Sequence, residues 1–409
     1  MNYRFVNLSS VYSFVASKIE SDLPRNRELS YAELLSRFID VHFGEAGAYD
    51  REMNALGNPS VLILPEPLLL KAWARENGIS YENDPRQALS IVLRQIAAYQ
   101  PDVVLLSNLY YCDYAFRQEL RQLLKGNALV IAWRSAPTDD FSAFADLDLM
   151  LTGSPLFAEH FRSAGVEAEY LPLAFDPSIL DDVANLPQDL EFTFAGTIGD
   201  KIGYHSERFR TISALMKYTP LQIWGDISIP HISRRMQTAI DFSAVLERIG
   251  VSSQMRRHLP VLHHAEKWRQ DVEESAATLK KNYSSRIHPA IFGLEYFRVL
   301  CRSQISFNNH INVAGAHGGN MRLFEATGVG SCLLTDWKEN LSDFFIPDVE
   351  VVTYRSSQEA TEKVKFLLEH PEQRRAIALA GQRRTLSEHT YKQRAQQLDA
   401  LIQSLIKHV

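Results

Sequence analysis

With 409 residues, 45% of them hydrophobic and 22% charged, the chain has an ordinary globular makeup and more length than one hydrophobic core usually serves, so two domains are expected. A net charge of −6 argues against nucleic acid as the main partner. No apolar run reaches the length of a membrane span, residues 1–10 lack the charged start and long apolar core of a secretion signal, and the distant cysteines Cys112, Cys301 and Cys332 read as reduced thiols; the expectation is a cytoplasmic protein with no transmembrane segment.

In chain order, the first sixty residues read as mostly helical, with apolar residues at helical spacing over 31–39. Strand and helix signals then alternate. Strands are expected at 61–64, 103–106, 128–133, 147–152 and 170–173. Helices are expected at 85–100, opened by Pro85 and closed by Pro101, and at 114–124 and 155–163. After the turn-rich stretch from Pro172 to residue 190 the rhythm restarts, with strands at 191–195, 221–225, 305–308, 332–335 and 349–353 and helices at 206–217 and 359–368. Short apolar runs between amphipathic helices predict two parallel sheets, each covered on both faces. Residues 228–290 break the pattern with mixed charges that suit the solvated helices of an insertion.

The segment from Gly315 to Asp336 carries the strongest chemical signal. Gly315, Gly318 and Gly319 make a turn whose backbone N–H groups can approach a ligand, and the turn feeds a helix starting near Asn320. Such a helix start attracts anions. Arg322 sits in its first turn, and Glu325 projects from the same face three residues on. Phosphate at the helix tip and ribose hydroxyls on the Glu325 carboxylate make a coherent pair. Gly196 and Thr197 follow a predicted strand and suit a phosphate contact, with Lys201, His205 and Arg208 as nearby cations. Asn308, Asn309 and His310 end another strand and suit the base or a sugar; His317 and Asn320 suit sugar hydroxyls.

Residues 320–336, reading NMRLFEATGVGSCLLTD, are similar to the C-terminal signature of the CgeB-like (spore-coat type) glycosyltransferases. The likeness continues through Asn340-Leu341, residues 350–354, 370–372 and 377–386, and His389-Thr390-Tyr391; upstream it is thinner, at residues 194–197, His205, Arg208, Leu171-Pro172 and Asp176-Pro177. The resemblance implies an α/β protein of the GT-B fold, two Rossmann-like domains facing across a cleft with a mainly helical insertion in the second. Residues 1–180 would be the acceptor-side domain and 181–388 the nucleotide-sugar domain, with the insertion at about 228–290 and a helix over 389–409 crossing back.

The implied activity is metal-independent, cofactor-free transfer from a nucleotide diphosphate sugar of UDP or GDP type to a glycan or protein hydroxyl, hexosyl transfer above all. Basic side chains and helix dipoles then stabilise the leaving diphosphate. Of the paired glutamates that retaining relatives carry eight positions apart, the second corresponds to Glu325 and the first position holds His317. A base for an inverting reaction belongs in the N-terminal half, where Asp50, Asp113 and His42 are candidates that the sequence does not rank; Asn108, Tyr110, residues 133–135 and the loop 44–49 also reach that cleft. A 2-epimerase-like isomerase and a non-catalytic nucleotide-sugar-binding module stay open as alternatives. Asp146 and Asp148 read as a strand-edge pair, the histidines lack zinc-ligand spacing, and no GxGxxG or P-loop occurs.

Overall fold

The computed structural model describes residues 2–24, 27–45, 47–82, 84–109, 112–136, 138–199, 206–225, 276–311 and 315–407, with isolated positions between 238 and 246. Lys201, His205, Tyr110 and most of the expected insertion lie outside these residues. Six strands, β1 (Phe5–Leu8), β2 (Ser60–Ile63), β3 (Val103–Leu106), β4 (Leu129–Trp133), β5 (Leu149–Thr152) and β6 (Ala168–Tyr170), form one sheet in the order β2-β1-β3-β4-β5-β6. A second six-stranded sheet contains β7 (Leu190–Ala195), β8 (Gln222–Trp224), β9 (Ile287–His288), β10 (Ser303–Asn308), β11 (Cys332–Asp336) and β12 (Val352–Tyr354), in the order β12-β11-β10-β7-β8-β9. Every pairing between these strands is parallel.

Near-continuous apolar runs are what a parallel sheet buried on both faces demands. Val6, Val104, Val130 and Met150 point into one layer of packed helices. Phe5, Val103, Leu105, Ile131 and Leu149 point into the other. The second sheet does the same with Phe192, Phe194, Ile305 and Phe307 on one face and Leu333 on the other.

The mostly helical reading of the first sixty residues needs one correction. Phe5–Leu8 is a strand, and it lies between β2 and β3. Its four residues include the fully buried Asn7, so it offers neither the length nor the apolar run that marks a strand locally. Smaller shifts occur at β6, which ends at Tyr170, at β12, which starts only at Val352, and at β9, a strand inside the span expected to be a helical insertion.

The last helix, Tyr391–Ile406, opens with a capping box between Thr390 and Gln393. It leaves the second sheet and buries Tyr391, Ala395, Leu398 and Ile402 against Tyr3, Phe5, Tyr49 and Met53 of the first. Phe175, between the two sheets in sequence, pins its start: the Phe175 N–H donates to His389 O (2.9 Å) and the Tyr391 N–H donates to Phe175 O (3.1 Å). Farther along, Asp399 Oδ1 accepts from the Tyr3 hydroxyl (2.8 Å) and from Asn58 Nδ2 (2.9 Å). Leu398 has no exposed surface. Leu398→Ala is therefore expected to cost about 2–5 kcal/mol in urea unfolding, the range for a buried leucine that leaves a cavity.

Candidate functional site

The glycine-rich turn is held from three sides. Asn308, at the end of β10 and fully buried, exchanges amide bonds with Asn320 (3.1 and 2.7 Å) and also donates to Thr335 Oγ1 (3.0 Å). Asn340 accepts the Gly318 N–H (2.6 Å) and donates to Gly318 O (2.9 Å). His310 Nε2 accepts the Gly319 N–H (3.2 Å), so its proton sits on Nδ1, 2.7 Å from Asp336 Oδ1. A Cβ at Gly318 would stand 2.8 Å from His310 Nε2, and Gly319 has φ +146. Both positions need glycine. Asn308, expected to face a base or sugar, instead spends its amide as a brace, and Asn320 serves as its partner at the head of the Met321–Gly328 helix.

Next to this turn two guanidinium groups share one phenyl ring. Arg322 lies 4.8 Å and Arg208 5.8 Å from the centroid of Phe194. Arg322 donates through Nη2 to Ala195 O, and Arg208 donates to Thr197 O (3.1 Å) and twice to Asn309 O (3.2 and 2.6 Å). Among the described residues neither makes an ion pair, and Arg322 Nε is buried without a hydrogen-bond partner. Burial and the neighbouring Arg322 charge pull the Arg208 pKa down to about 10. Gly196, at φ +147, makes room: a Cβ there would be 2.6 Å from Arg322 Nη2.

Glu325 follows Arg322 by three residues on the same helix and accepts a hydrogen bond from the Tyr296 hydroxyl (2.7 Å). Burial raises its carboxyl above the ordinary range, against the pull of Tyr296 and Arg322 in the other direction. Across from the turn stand Ser135, Gly153 and Ser154 at the carboxyl ends of β4 and β5, and Ser154 caps the Pro155–Ser163 helix by accepting the Phe157 N–H (3.4 Å). These residues and Arg208, His310, His317 and Gly318 enclose a cavity of about 260 Å³ between the two sheets. Gly319 closes it tightly, since a Cβ there would come 3.3 Å from Gly153 O. Arg322 and Glu325 are not in its wall; His317 is, and Thr197 is exposed beyond it.

The three carboxylate and imidazole candidates of the N-terminal half have distinct surroundings. Asp113 is exposed and caps the Tyr114–Leu123 helix, accepting the Phe116 N–H (2.9 Å), which assigns it to helix stability. His42 Nε2 lies 3.5 Å from Asp182 Oδ2, in the stretch between the sheets. Asp50 is buried and accepts from Asn7 (3.1 Å) and Ser60 (2.8 Å); burial raises its pKa to about 6 despite both bonds. Sequence reasoning singled out the loop 44–49 but not Glu45 within it. Burial raises the Glu45 carboxyl to about 7, Ser107 at the end of β3 hydrogen-bonds it, and the Asp50 charge pushes it further up. The buried Tyr391 hydroxyl, unpartnered among the described residues, is pushed up by burial first and then by the charges of Glu45, Tyr49 and Glu325. The Asp146-x-Asp148 pair is structural: Asp146 takes Arg117 in a two-point contact (2.8 Å each) and Asp148 pairs with Arg121 (3.0 Å). Asp113→Ala is expected to cost about 1 kcal/mol of stability by urea unfolding and to leave nucleotide affinity unchanged; a lost affinity would return Asp113 to the site.

The sequence profile of the Glyco_trans_1_2 family, glycosyl transferase-like, matches residues 244–400. No curated protein sequence matches the chain. Among solved structures, a glycosyltransferase from Rickettsia africae superposes with a TM-score of 0.54 at 10% identity, covering 100% of each chain. Sucrose-phosphate synthase from Thermosynechococcus elongatus gives 0.54 at 11% identity, covering 99% of this chain and 100% of that one. HepE of Anabaena, solved in complex with UDP-glucose, gives 0.52 at 11% identity over 98% of this chain and 100% of its own. The fold is therefore GT-B: two parallel six-stranded sheets with helices on both faces.

Proposed function

We propose that this glycosyltransferase-like chain moves a hexosyl group from a nucleoside diphosphate sugar to a hydroxyl of a glycan or protein, in the cytoplasm and without a metal ion. One observation carries the reading: the buried Arg208 and the part-buried Arg322 share one ring beside a glycine turn and a helix start, and among the described residues no carboxylate lies within ion-pair distance of either. Like charges held together in a low-dielectric site favour an anion between them. A leaving diphosphate, which gains negative charge as the glycosidic bond breaks, is that anion. UDP is the first donor to test, because HepE, which shares the fold, was solved with UDP-glucose. Residues 320–336 support a CgeB-like kinship, and the acceptor side is assigned to the N-terminal sheet.

Glu325 takes the ribose hydroxyls in this scheme. Glu325→Gln keeps its shape but swaps an acceptor oxygen for a donor, so UDP affinity by calorimetry should fall roughly ten- to a hundred-fold, the range for a hydrogen bond to a charged group. An unchanged affinity in a folded variant removes Glu325 from the site. The guanidiniums make a divalent ion redundant, so transfer should survive a chelator; strict loss restored by magnesium or manganese refutes that part.

Glu45, in the loop 44–49, is taken as the base in this reading; Asp113 caps a helix, Asp50 is held by both Asn7 and Ser60, and His42 lies beside Asp182. A general base acts when deprotonated, and its best pKa lies near the working pH. With the carboxyl near 7, kcat/KM should climb about ten-fold per pH unit below 7 and level off above it. Glu45→Gln should abolish that limb along with most of kcat while UDP still binds. A flat wild-type profile from pH 5.5 to about 8 would remove Glu45 from the reaction. Nucleotide release measured with and without acceptor separates a transferase from a binding module.

A further inference from the structure

Aligned on their first strands, β1 and β7, the two sheets differ at their edges. In the second, β8 has a third strand beside it, Ile223 standing opposite Ile287 and Trp224 opposite His288 of β9. In the first, β2 takes the place of β8, and among the described residues no strand lies beyond it. The Phe5 N–H donates to Pro59 O and the Ser9 N–H to Ile63 O, so odd-numbered residues of β2 turn their peptide groups toward β1. Ser60 and Leu62 therefore turn theirs to the open edge. The Asn54 side chain already fills the first rung: its Oδ1 accepts the Ser60 N–H (3.0 Å) and its Nδ2 donates to Ser60 O (3.2 Å). An amide sits there as a neighbouring strand's peptide unit would.

The next rung, at Leu62, lies on a cavity of about 620 Å³ along this edge. Gln95, from the Pro85–Tyr99 helix, lines the same cavity and is only 6% exposed. Neither its Oε1 nor its Nε2 has a hydrogen-bond partner among the described residues. A buried amide with both halves unpaired is a destabilising feature that asks for an explanation. Leu35, Ile39 and Trp73 give the same wall an apolar part. The two charged residues of the wall are already engaged, Asp50 by Asn7 and Ser60 and Arg51 by Asp176 and Glu52.

We propose that this edge receives an extended peptide segment of a partner protein as an added strand. One residue of the segment pairs with the Leu62 peptide group, the next turns its own peptide group to the Gln95 amide, and apolar side chains lie against Ile39 and Trp73. Peptide groups alternate in direction along a strand, so one can face Leu62 while the next is left for another partner. Leu62 is 4% exposed, so its peptide group is reached through the cavity and not from open surface.

The proposal does not depend on sugar transfer, and its test is separate. The capped peptide Ac-Val-Ile-Thr-Val-NH2 is titrated into the full chain by calorimetry, beside an analogue with methylated backbone nitrogens. Saturable binding is expected for the first and none for the second, because methylation removes the donors and keeps the apolar surface. Gln95→Leu should weaken peptide binding about ten-fold without lowering the melting temperature. UDP affinity should be the same throughout, which keeps this result apart from any failure of the nucleotide site. Equal affinity of the methylated analogue, full affinity in Gln95→Leu, or no saturation at millimolar peptide would each overturn it. Displacement of the peptide by N-acetylglucosamine would do the same, by making the cavity a small-molecule site.

Discussion

Two positive charges over the ring of Phe194 set the terms for everything around them. They are tolerated because backbone carbonyls surround them in place of water: Ala195 O for Arg322, Thr197 O and Asn309 O for Arg208. Those carbonyls lie at the carboxyl ends of β7 and β10, brought side by side by their parallel register. Gly196 must lack a side chain for Arg322 to reach Ala195. The close pairing of the two guanidiniums is thus built into the backbone path of the second sheet.

Facing that site requires the first sheet to hold still. The helix Tyr391–Ile406 does this by packing on Phe5 and Met53 after starting beside Phe175, so the chain between the sheets and the chain after the second sheet are tied together. At Gly328 a Cβ would strike the Phe175 ring at 2.5 Å, which keeps that tie close against the Met321–Gly328 helix. The result is a cleft whose two walls each present a helix start, one headed by Asn320 and one by Ser154.

Two buried carboxyls with raised pKa values lie in the N-terminal half. Asp50 and Glu45 are both raised, to about 6 and about 7, by burial above all. Their surroundings still differ. Asp50 is locked by Asn7 and Ser60 under the edge strand, whereas Glu45 sits in a turn with Ser107 and remains partly accessible. Accessibility at an unusual pKa is the combination that acid–base chemistry uses.

Local pattern sufficed for most of the architecture. Apolar runs at β3, β4, β7, β10 and β11, the proline-opened helix Pro85–Tyr99 and the turn before Met321–Gly328 are properties of short windows, and they were legible in the residues alone. The spacing that puts Arg322 and Glu325 on one helix face is likewise local. The four residues of β1 were not legible, because a central strand with a buried Asn7 is stabilised by Val61 and Val104 on either side and not by its own composition. Nor was the inward turn of Asn308, whose partner Asn320 is twelve residues away. The carboxyl of Glu45 and the amide of Gln95 acquire their character from burial among segments distant in sequence. Periodicity and turn chemistry act over a few residues and so are written in the sequence, whereas desolvation and hydrogen-bond satisfaction depend on which distant groups arrive, and that only the tertiary structure decided.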